Sequence, residues 1–377
     1  MKPEESIVIN EFMKRVNKII ESGQTPDLAA IEDEMMRDRR LVPKEVRKEI
    51  ADALRESAKG RSEIMRVSRN RITQESGSIL DALENCISFG ELLHARIEAI
   101  FGSGLGVLRG KTPRPRPDVV TGATLKCLLV LGIHARSCII ANEVSVLLRN
   151  GFPDGADSRL RTLHEHAVVM TLIGNDFTYE VAERYADRAA FEYLHWLRCA
   201  KRSFSDGYRR QDPVTRQRIE EDLAATQVAV HEARARWGSM ITEQYGWARP
   251  ILPRASQAKR NITFADLESA AEMDFLRVDY LGENYHVHAG AHAVISAADL
   301  DGHIYSLHPA MTDDRMSRAA YRLAMIFGFT SHLLAAAVSK ETEEWDGFLL
   351  SAEMTRLADR VCEKIAKWNM AHEAESA

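Results

Sequence analysis

Apolar residues recur every three or four positions through most of this sequence, and segments in which apolar and polar residues alternate are nearly absent. The first spacing places apolar side chains on one face of an α-helix, whereas alternation would indicate a half-buried strand. Thr263 followed by Asp266 also predicts a capping box at the start of a helix. The sequence therefore predicts an all-α helical bundle, with helices near 4–22, 26–40, 44–59, 62–101, 123–150, 155–174, 177–203, 213–240, 263–271, 274–296, 312–339 and 344–370.

The distribution of charge and proline predicts three parts of the chain. Residues 1–75 are rich in Glu, Lys and Arg with modest apolar spacing, so we expect an appended N-terminal helical arm suited to homo-oligomer formation. Residues 76–122 are predicted to hold a helix and a basic linker, because the alternating prolines of 102–118 cannot continue a helix. Residues 123–377 are predicted to form the helical core.

The overall charge and the cysteine pattern narrow the class of protein. A formal net charge of −5 provides no general attraction to nucleic acid. Five cysteines without a C-x-x-C pair are typical of reduced thiols in a cytoplasmic protein. The charged start MKPEESIVINEF predicts no signal peptide. The most apolar stretch, 123–148, contains charged residues such as Lys126 and Glu143, so we expect a buried helix and no membrane partner.

A helical hairpin is predicted over residues 123–176. Asn150-Gly151 ends the first helix and Pro153-Asp154-Gly155 turns the chain into the second, so the two helices must be antiparallel. Counting outward from residue 152 places Arg161 level with Glu143, and Glu165 about one turn from Arg136. The sequence therefore predicts that Arg136, Glu143, Arg161 and Glu165 can pair.

Arg161 and Glu165 are four residues apart and have apolar neighbours, so their shared helix face is expected to be buried. A buried charge is tolerated only when it is paired and hydrogen-bonded. Two interpretations follow. The residues form a structural ion-pair network that fixes the hairpin, or Arg161 binds an anion that Glu165 orients or exchanges a proton with.

A second polar stripe is formed by Tyr280, Asn284, His288 and His292, which recur every four positions on one predicted helix face. Histidines four residues apart can bind a metal ion, with Glu165 as the acidic ligand because no H-E-x-x-H motif is present. The same residue types also suit acid–base or phosphate-binding roles without a metal. The third interpretation is a structural polar patch whose hydrogen bonds are satisfied within the protein.

The segment LLRNGFPDGADSRLRTLHE, followed further along by YLGENYHVH, resembles a bacterial all-helical family known only as a domain of unknown function. Its motifs are R-x-x-x-E and Y-x-x-x-S-x-x-x-H. The resemblance covers roughly 123–340 and implies a site made of Arg161, Glu165, Tyr280 and His288. Asn284 stands where the family usually has Ser. The resemblance implies a fold and a site but no reaction.

A looser likeness is to the helical HEPN ribonucleases of toxin and phage-defence systems, whose signature is Arg, four to six residues, then His. Arg161–His166 fits this signature. Three other pairs also fit, which shows how easily the pattern arises: Arg159–His164, Arg159–His166 and Arg188–His195. The likeness implies metal-free cleavage, with His166 as general acid or base on the 2′-hydroxyl and Arg161 stabilising the phosphate.

The expected function is a metal-independent nuclease or another nucleotide-directed enzyme without a cofactor, acting on RNA or a nucleotide in phage defence or a toxin system. It is preferred because a Tyr and two His on one stripe exceed what structural pairing needs. The alternatives are a non-catalytic helical scaffold or sensor and a metal-dependent hydrolase using His288, His292 and Glu165. The predicted catalytic residues are Arg161, Glu165, Tyr280 and His288. The secondary candidates are Arg136, Glu143, His166, Asn284 and His292.

Overall fold

The computed structural model describes residues 7–28, 30–31, 44–105, 122–203, 213–257, 261–278, 280–281, 313–342 and 346–376. Every regular element in these ranges is helical, which confirms the all-α prediction. The long helices are α1 (Ile7–Glu21), α2 (Lys44–Leu105), α3 (Gly122–Arg149), α4 (Pro153–Asn175), α5 (Glu180–Ser203), α6 (Pro213–Trp237), α9 (Asp313–Thr342) and α10 (Asp346–Ser376). The short ones are α7 (Arg254–Gln257), α8 (Phe264–Ala270) and 3-10 helices at Ser239–Thr242, Gly246–Ile251 and Asp274–Leu276.

The chain divides into two compact units, Met1–Asn70 and Arg71–Ala377. Helix α2 contributes residues to both, so the predicted break between residues 59 and 62 is wrong. The break would fall at Gly60, but a single glycine inside an exposed helix costs only about 1 kcal/mol relative to alanine. No proline lies beside it, and that cost alone does not end the helix. The predicted linker lies largely outside the described residues, since α2 ends at Leu105 and α3 begins at Gly122.

The centre of the second unit is the predicted antiparallel hairpin of α3 and α4. Gly151 has a φ of 79° and so adopts the left-handed conformation that ends α3. Pro153 begins α4 in the position that proline favours. Helix α9 packs against α3, α4 and α10, and the interior between them is filled by large apolar side chains. The fully buried members include Val144, Leu148, Leu160, Leu163, Phe327 and Leu334.

A buried ion pair joins α3 to α9. The Nζ atom of Lys126, on a side chain with no exposed surface, lies 2.9 Å from Glu341 Oε1 and donates to the Asp176 carbonyl at 3.2 Å. Tyr179 donates its hydroxyl to the other Glu341 oxygen at 2.9 Å. We call Lys126, Tyr179 and Glu341 the Lys126 cluster. It ties α3, the α4–α5 connection and α9 together at one end of the hairpin.

Among the described helices, two are long and apolar enough to cross a membrane by length and composition, Gly122–Arg149 and Arg315–Thr342. Both carry polar side chains that are buried within the bundle, such as Lys126 and His134 in α3 and Arg322 and Thr330 in α9.

Candidate functional site

Arg161 and Glu165 lie one turn apart on α4, and both contact Tyr280. The Nη2 atom of Arg161 donates to the Tyr280 hydroxyl at 3.0 Å. That hydroxyl donates to Glu165 Oε1 at 3.3 Å, and Arg161 Nε lies 3.3 Å from the same oxygen. The structure therefore brings together three of the four predicted catalytic residues, which we call the Arg161 centre (Arg161, Glu165 and Tyr280). His288 lies outside the described residues, as do the secondary candidates Asn284 and His292.

The Arg161 centre is half open to solvent. The Arg161 and Glu165 side chains are 20 % and 37 % exposed, whereas Tyr280 is buried. The guanidinium also lies over the Tyr280 ring, 4.9 Å from its centroid, in a cation–π contact. Burial raises the pKa of Tyr280, so its phenol keeps its proton at neutral pH and can donate it. The expectation that the shared face of Arg161 and Glu165 is buried is wrong, since both side chains are partly exposed.

A fully buried pair of titratable groups lies behind this centre. His164 Nε2, one residue before Glu165, is 3.3 Å from Glu268 Oε1, and neither side chain is exposed. Arg277 contacts the other Glu268 oxygen. Burial lowers the pKa of His164 to about 4, with Arg322 and Arg277 acting in the same direction, so the imidazole is neutral at pH 7. Burial also raises the pKa of Glu268.

Aromatic rings fix the position of this buried layer. His164 meets Tyr280 and Phe264 edge-on, at centroid distances of 5.5 and 5.8 Å. Phe264 is the first residue of α8, whose start is set by the predicted capping box. The backbone N–H and the hydroxyl of Thr263 both donate to Asp266 Oδ2, at 2.9 and 2.8 Å. The cap therefore places α8, with Phe264 and Glu268, against α4.

Sequence reasoning missed Glu268, Arg277 and Tyr245 as neighbours of the site. Burial raises the pKa of Tyr245 to about 12, and the nearby Glu165 and Tyr280 add to the shift. Each of the three residues belongs to a short helix or a helix terminus in the α6–α9 region, where the apolar period spans too few residues to define a face. No local motif marks them, because their role depends on which helix they pack against.

The predicted pairing across the hairpin is wrong for Glu143. Glu143 pairs with Arg159 and not with Arg161. Two residues along a helix correspond to a rotation of about 200°, so Arg159 and Arg161 point to different neighbours. Arg136 is exposed and forms no ion pair within the described ranges. His166 shares a 3.1 Å hydrogen bond with Ser137, and burial, with Arg136 and Arg159, lowers its pKa to about 4.

The described residues offer little for binding a metal ion. Within the part of the chain that the structure describes, no three His, Cys, Asp or Glu side chains are placed to hold a metal ion. Of the alternative ligand set only Glu165 is described. The five cysteines are free thiols, three of them buried and two partly exposed.

Comparison with known proteins finds one family model that matches the central region. Residues 128–303 match the Family of unknown function (DUF5677), which confirms the resemblance to a domain of unknown function. The matched region contains α4, α8, the whole Arg161 centre and α3 from residue 128 onward. The comparison gives no match to the HEPN ribonucleases. No curated protein and no solved structure matches the chain.

Proposed function

We propose that the DUF5677 domain of this chain binds a phosphate-bearing substrate at the Arg161 centre and cleaves a phosphodiester without a metal ion. RNA or a smaller nucleotide is the proposed substrate. One observation carries the proposal: the hydrogen-bonded chain of Arg161, Tyr280 and Glu165 is open to solvent at its guanidinium and carboxylate ends. A substrate can therefore reach a cation and a proton acceptor that are both hydrogen-bonded to the buried proton donor, Tyr280.

The three side chains supply complementary chemistry. A guanidinium presents several N–H donors in a planar fork that matches phosphate oxygens. Tyr280 is protonated at neutral pH and is hydrogen-bonded to a carboxylate that can accept a proton. In the proposed step Glu165 takes the proton of the attacking hydroxyl, whose oxygen forms a bond to phosphorus. As the bond from phosphorus to the leaving oxygen breaks, Tyr280 protonates that oxygen. Transfer from Glu165 to Tyr280 then restores both groups.

The proposed setting is a bacterial defence or toxin system in the cytoplasm. The net charge of −5 gives the chain little general attraction to RNA, so a small phosphodiester or an RNA delivered by a partner suits it better than long RNA alone. In the variant mechanism with His166 as the base, the hydrogen bond of that imidazole to Ser137 would have to be exchanged for one to substrate.

A non-catalytic scaffold or sensor is the second candidate. It is favoured by the contacts that Arg161, Tyr280 and Glu165 make with one another and by the buried His164–Glu268 pair behind them. Contacts of this kind would hold α4 and Tyr280 together in a structural network. A metal-dependent hydrolase, the third candidate, would use His288 and His292 with Glu165.

Cleavage assays with matched variants test the proposal. The purified chain is incubated with an RNA oligonucleotide, a cyclic nucleotide and an activated phosphodiester, with and without EDTA. Arg161→Gln and Tyr280→Phe are expected to lower kcat/KM about 100-fold, as loss of one transition-state hydrogen-bond donor does. Arg159→Gln, which removes the neighbouring arginine paired with Glu143, is expected to keep its activity.

The outcomes separate the three candidates. No turnover of any substrate by the wild type rejects the enzyme and favours the scaffold. If Arg161→Gln and Tyr280→Phe are both folded by circular dichroism and keep full activity, the Arg161 centre is not the catalytic site. Activity that EDTA abolishes and Mn²⁺ or Zn²⁺ restores would favour the metal-dependent hydrolase.

A further inference from the structure

A second cleft lies where α5 and α6 meet the 3-10 helix Ser239–Thr242. Its volume is about 410 Å³, within the range of small-molecule sites. Three arginines line it: Arg188 and Arg198 from α5, and Arg234 from α6. None of its lining residues belongs to the Arg161 centre.

The charges at this cleft are unbalanced. Glu192 is the one carboxylate among the described residues that line it, and Glu192 Oε1 lies 3.8 Å from Arg188 Nε. Arg198 and Arg234 are exposed, and among the described residues neither has a carboxylate within ion-pair distance. Within the described ranges, two guanidinium groups thus face the cleft without a neutralising carboxylate, an arrangement that attracts an anion.

Stacking holds two of the arginines in place. The guanidinium groups of Arg188 and Arg234 lie over the ring of Phe191, 5.6 and 5.8 Å from its centroid. Arg188 is only 15 % exposed, and its Nε atom is buried without a hydrogen-bond partner. A guanidinium that is already ordered by an aromatic ring loses less conformational entropy when it binds a ligand.

Part of the remaining wall of the cleft is apolar, because Leu194 and Val230 line it beside the arginines. His195 and Thr242 complete the lining. An inorganic anion would leave the apolar side chains in contact with water, whereas the organic part of a phosphate ester would contact them and exclude that water. We propose that the cleft binds a nucleoside phosphate, with its phosphate groups at Arg198 and Arg234 and its sugar or base against Leu194 and Val230.

Titration calorimetry of the full chain tests this proposal with three probes: ATP, AMP and inorganic phosphate. ATP is expected to bind most tightly, because it offers the most charge, and phosphate least tightly. Arg198→Gln and Arg234→Gln are each expected to weaken ATP binding about tenfold, the loss of one charge-assisted contact. The matched control is Arg218→Gln, which removes the same charge from an exposed site about 24 Å along α6 from Arg234.

Each result decides one part of the proposal. It is overturned if the wild type binds none of the probes, if Arg234→Gln binds ATP as the wild type does, or if Arg218→Gln weakens binding equally. Equal affinity for AMP and inorganic phosphate overturns the contact with the apolar wall. Arg161→Gln is expected to keep ATP binding at this cleft, and a loss there would assign the bound ATP to the Arg161 centre instead.

Discussion

Two clusters of the second unit use the same three kinds of group, a cation, a carboxylate and a tyrosine hydroxyl, in opposite environments. In the Lys126 cluster the lysine is fully buried and Glu341 is 12 % exposed. In the Arg161 centre the corresponding exposures are 20 % and 37 %. Each tyrosine donates its hydroxyl to the carboxylate, and each cation lies over its tyrosine ring.

Because of this difference in exposure, the Lys126 cluster suits a structural role, whereas the Arg161 centre can also bind a ligand. Removing an ion pair from water costs several kcal/mol per ion, and the pair persists only if its members satisfy each other. A ligand could enter the Lys126 cluster only by breaking that pair inside the bundle. At the Arg161 centre, a ligand can take the place of water on a cation that is already partly hydrated. Exposure, and not the identity of the groups, therefore marks the candidate site.

The largest expected effect is on stability, which should fall much more when the Lys126 cluster is disrupted than when the Arg161 centre is. Lys126→Met leaves Glu341 without its cation and is expected to lower the free energy of unfolding by about 3 kcal/mol. Arg161→Met breaks a partly hydrated pair and is expected to cost less than about 1 kcal/mol. Urea unfolding followed by far-UV circular dichroism measures both.

A double variant controls for lost packing at Lys126. Lys126→Met with Glu341→Leu replaces the whole ion pair by apolar groups and is expected to recover most of the lost stability. Equal losses for Lys126→Met and Arg161→Met would contradict the distinction between a closed and an open cluster.

The second expected effect is a fall in stability below about pH 6.5, because the buried His164 sits behind the Arg161 centre. Its pKa of about 4 in the folded chain lies below the ordinary value of 6.5, so the unfolded chain binds more protons between these values. The free energy of unfolding should therefore fall by up to about 1.4 kcal/mol per pH unit for this group. His134, with a pKa lowered to about 3, acts in the same direction. Glu268, with a raised pKa, opposes it.

Urea unfolding at several pH values between 7 and 5 checks this prediction. His164→Gln should make the decline shallower, whereas His231→Gln, at an exposed position on α6, should leave it unchanged. A decline of the same steepness in His164→Gln and the wild type would show that His164 is not the group whose protonation opposes folding.

The hairpin and two members of the site were predictable from the sequence because local signals define them. Gly151 and Pro153 fix the turn, and the spacing of Arg161 and Glu165 places both on one helix face. Tyr280 was joined to them by the family motif alone. Its contact with Arg161 depends on the path of the chain after α8, which no local pattern encodes.

Rotation about the helix axis and long-range packing account for what was missed. Counting residues outward from the turn fixes a position along the helix axis but not the direction in which a side chain points. The count therefore predicted the wrong partner for Glu143. Lys126 stood out as a charge in an apolar stretch. Its partner Glu341 lies on α9, far along the sequence, so the closed cluster could not be recognised before the fold was known.

The smallest expected effect measures how strongly each tyrosine is coupled to its carboxylate. A double-mutant cycle of Tyr179→Phe with Glu341→Gln should give a coupling energy of about 1 kcal/mol, because the cation beside that carboxylate is buried. The cycle of Tyr280→Phe with Glu165→Gln should give about half as much, since water can replace the lost hydroxyl at the exposed carboxylate. Urea unfolding of the single and double variants supplies the four free energies for each cycle. A larger coupling at the Arg161 centre would identify it as the tighter structural network, and that result would favour the scaffold over the enzyme.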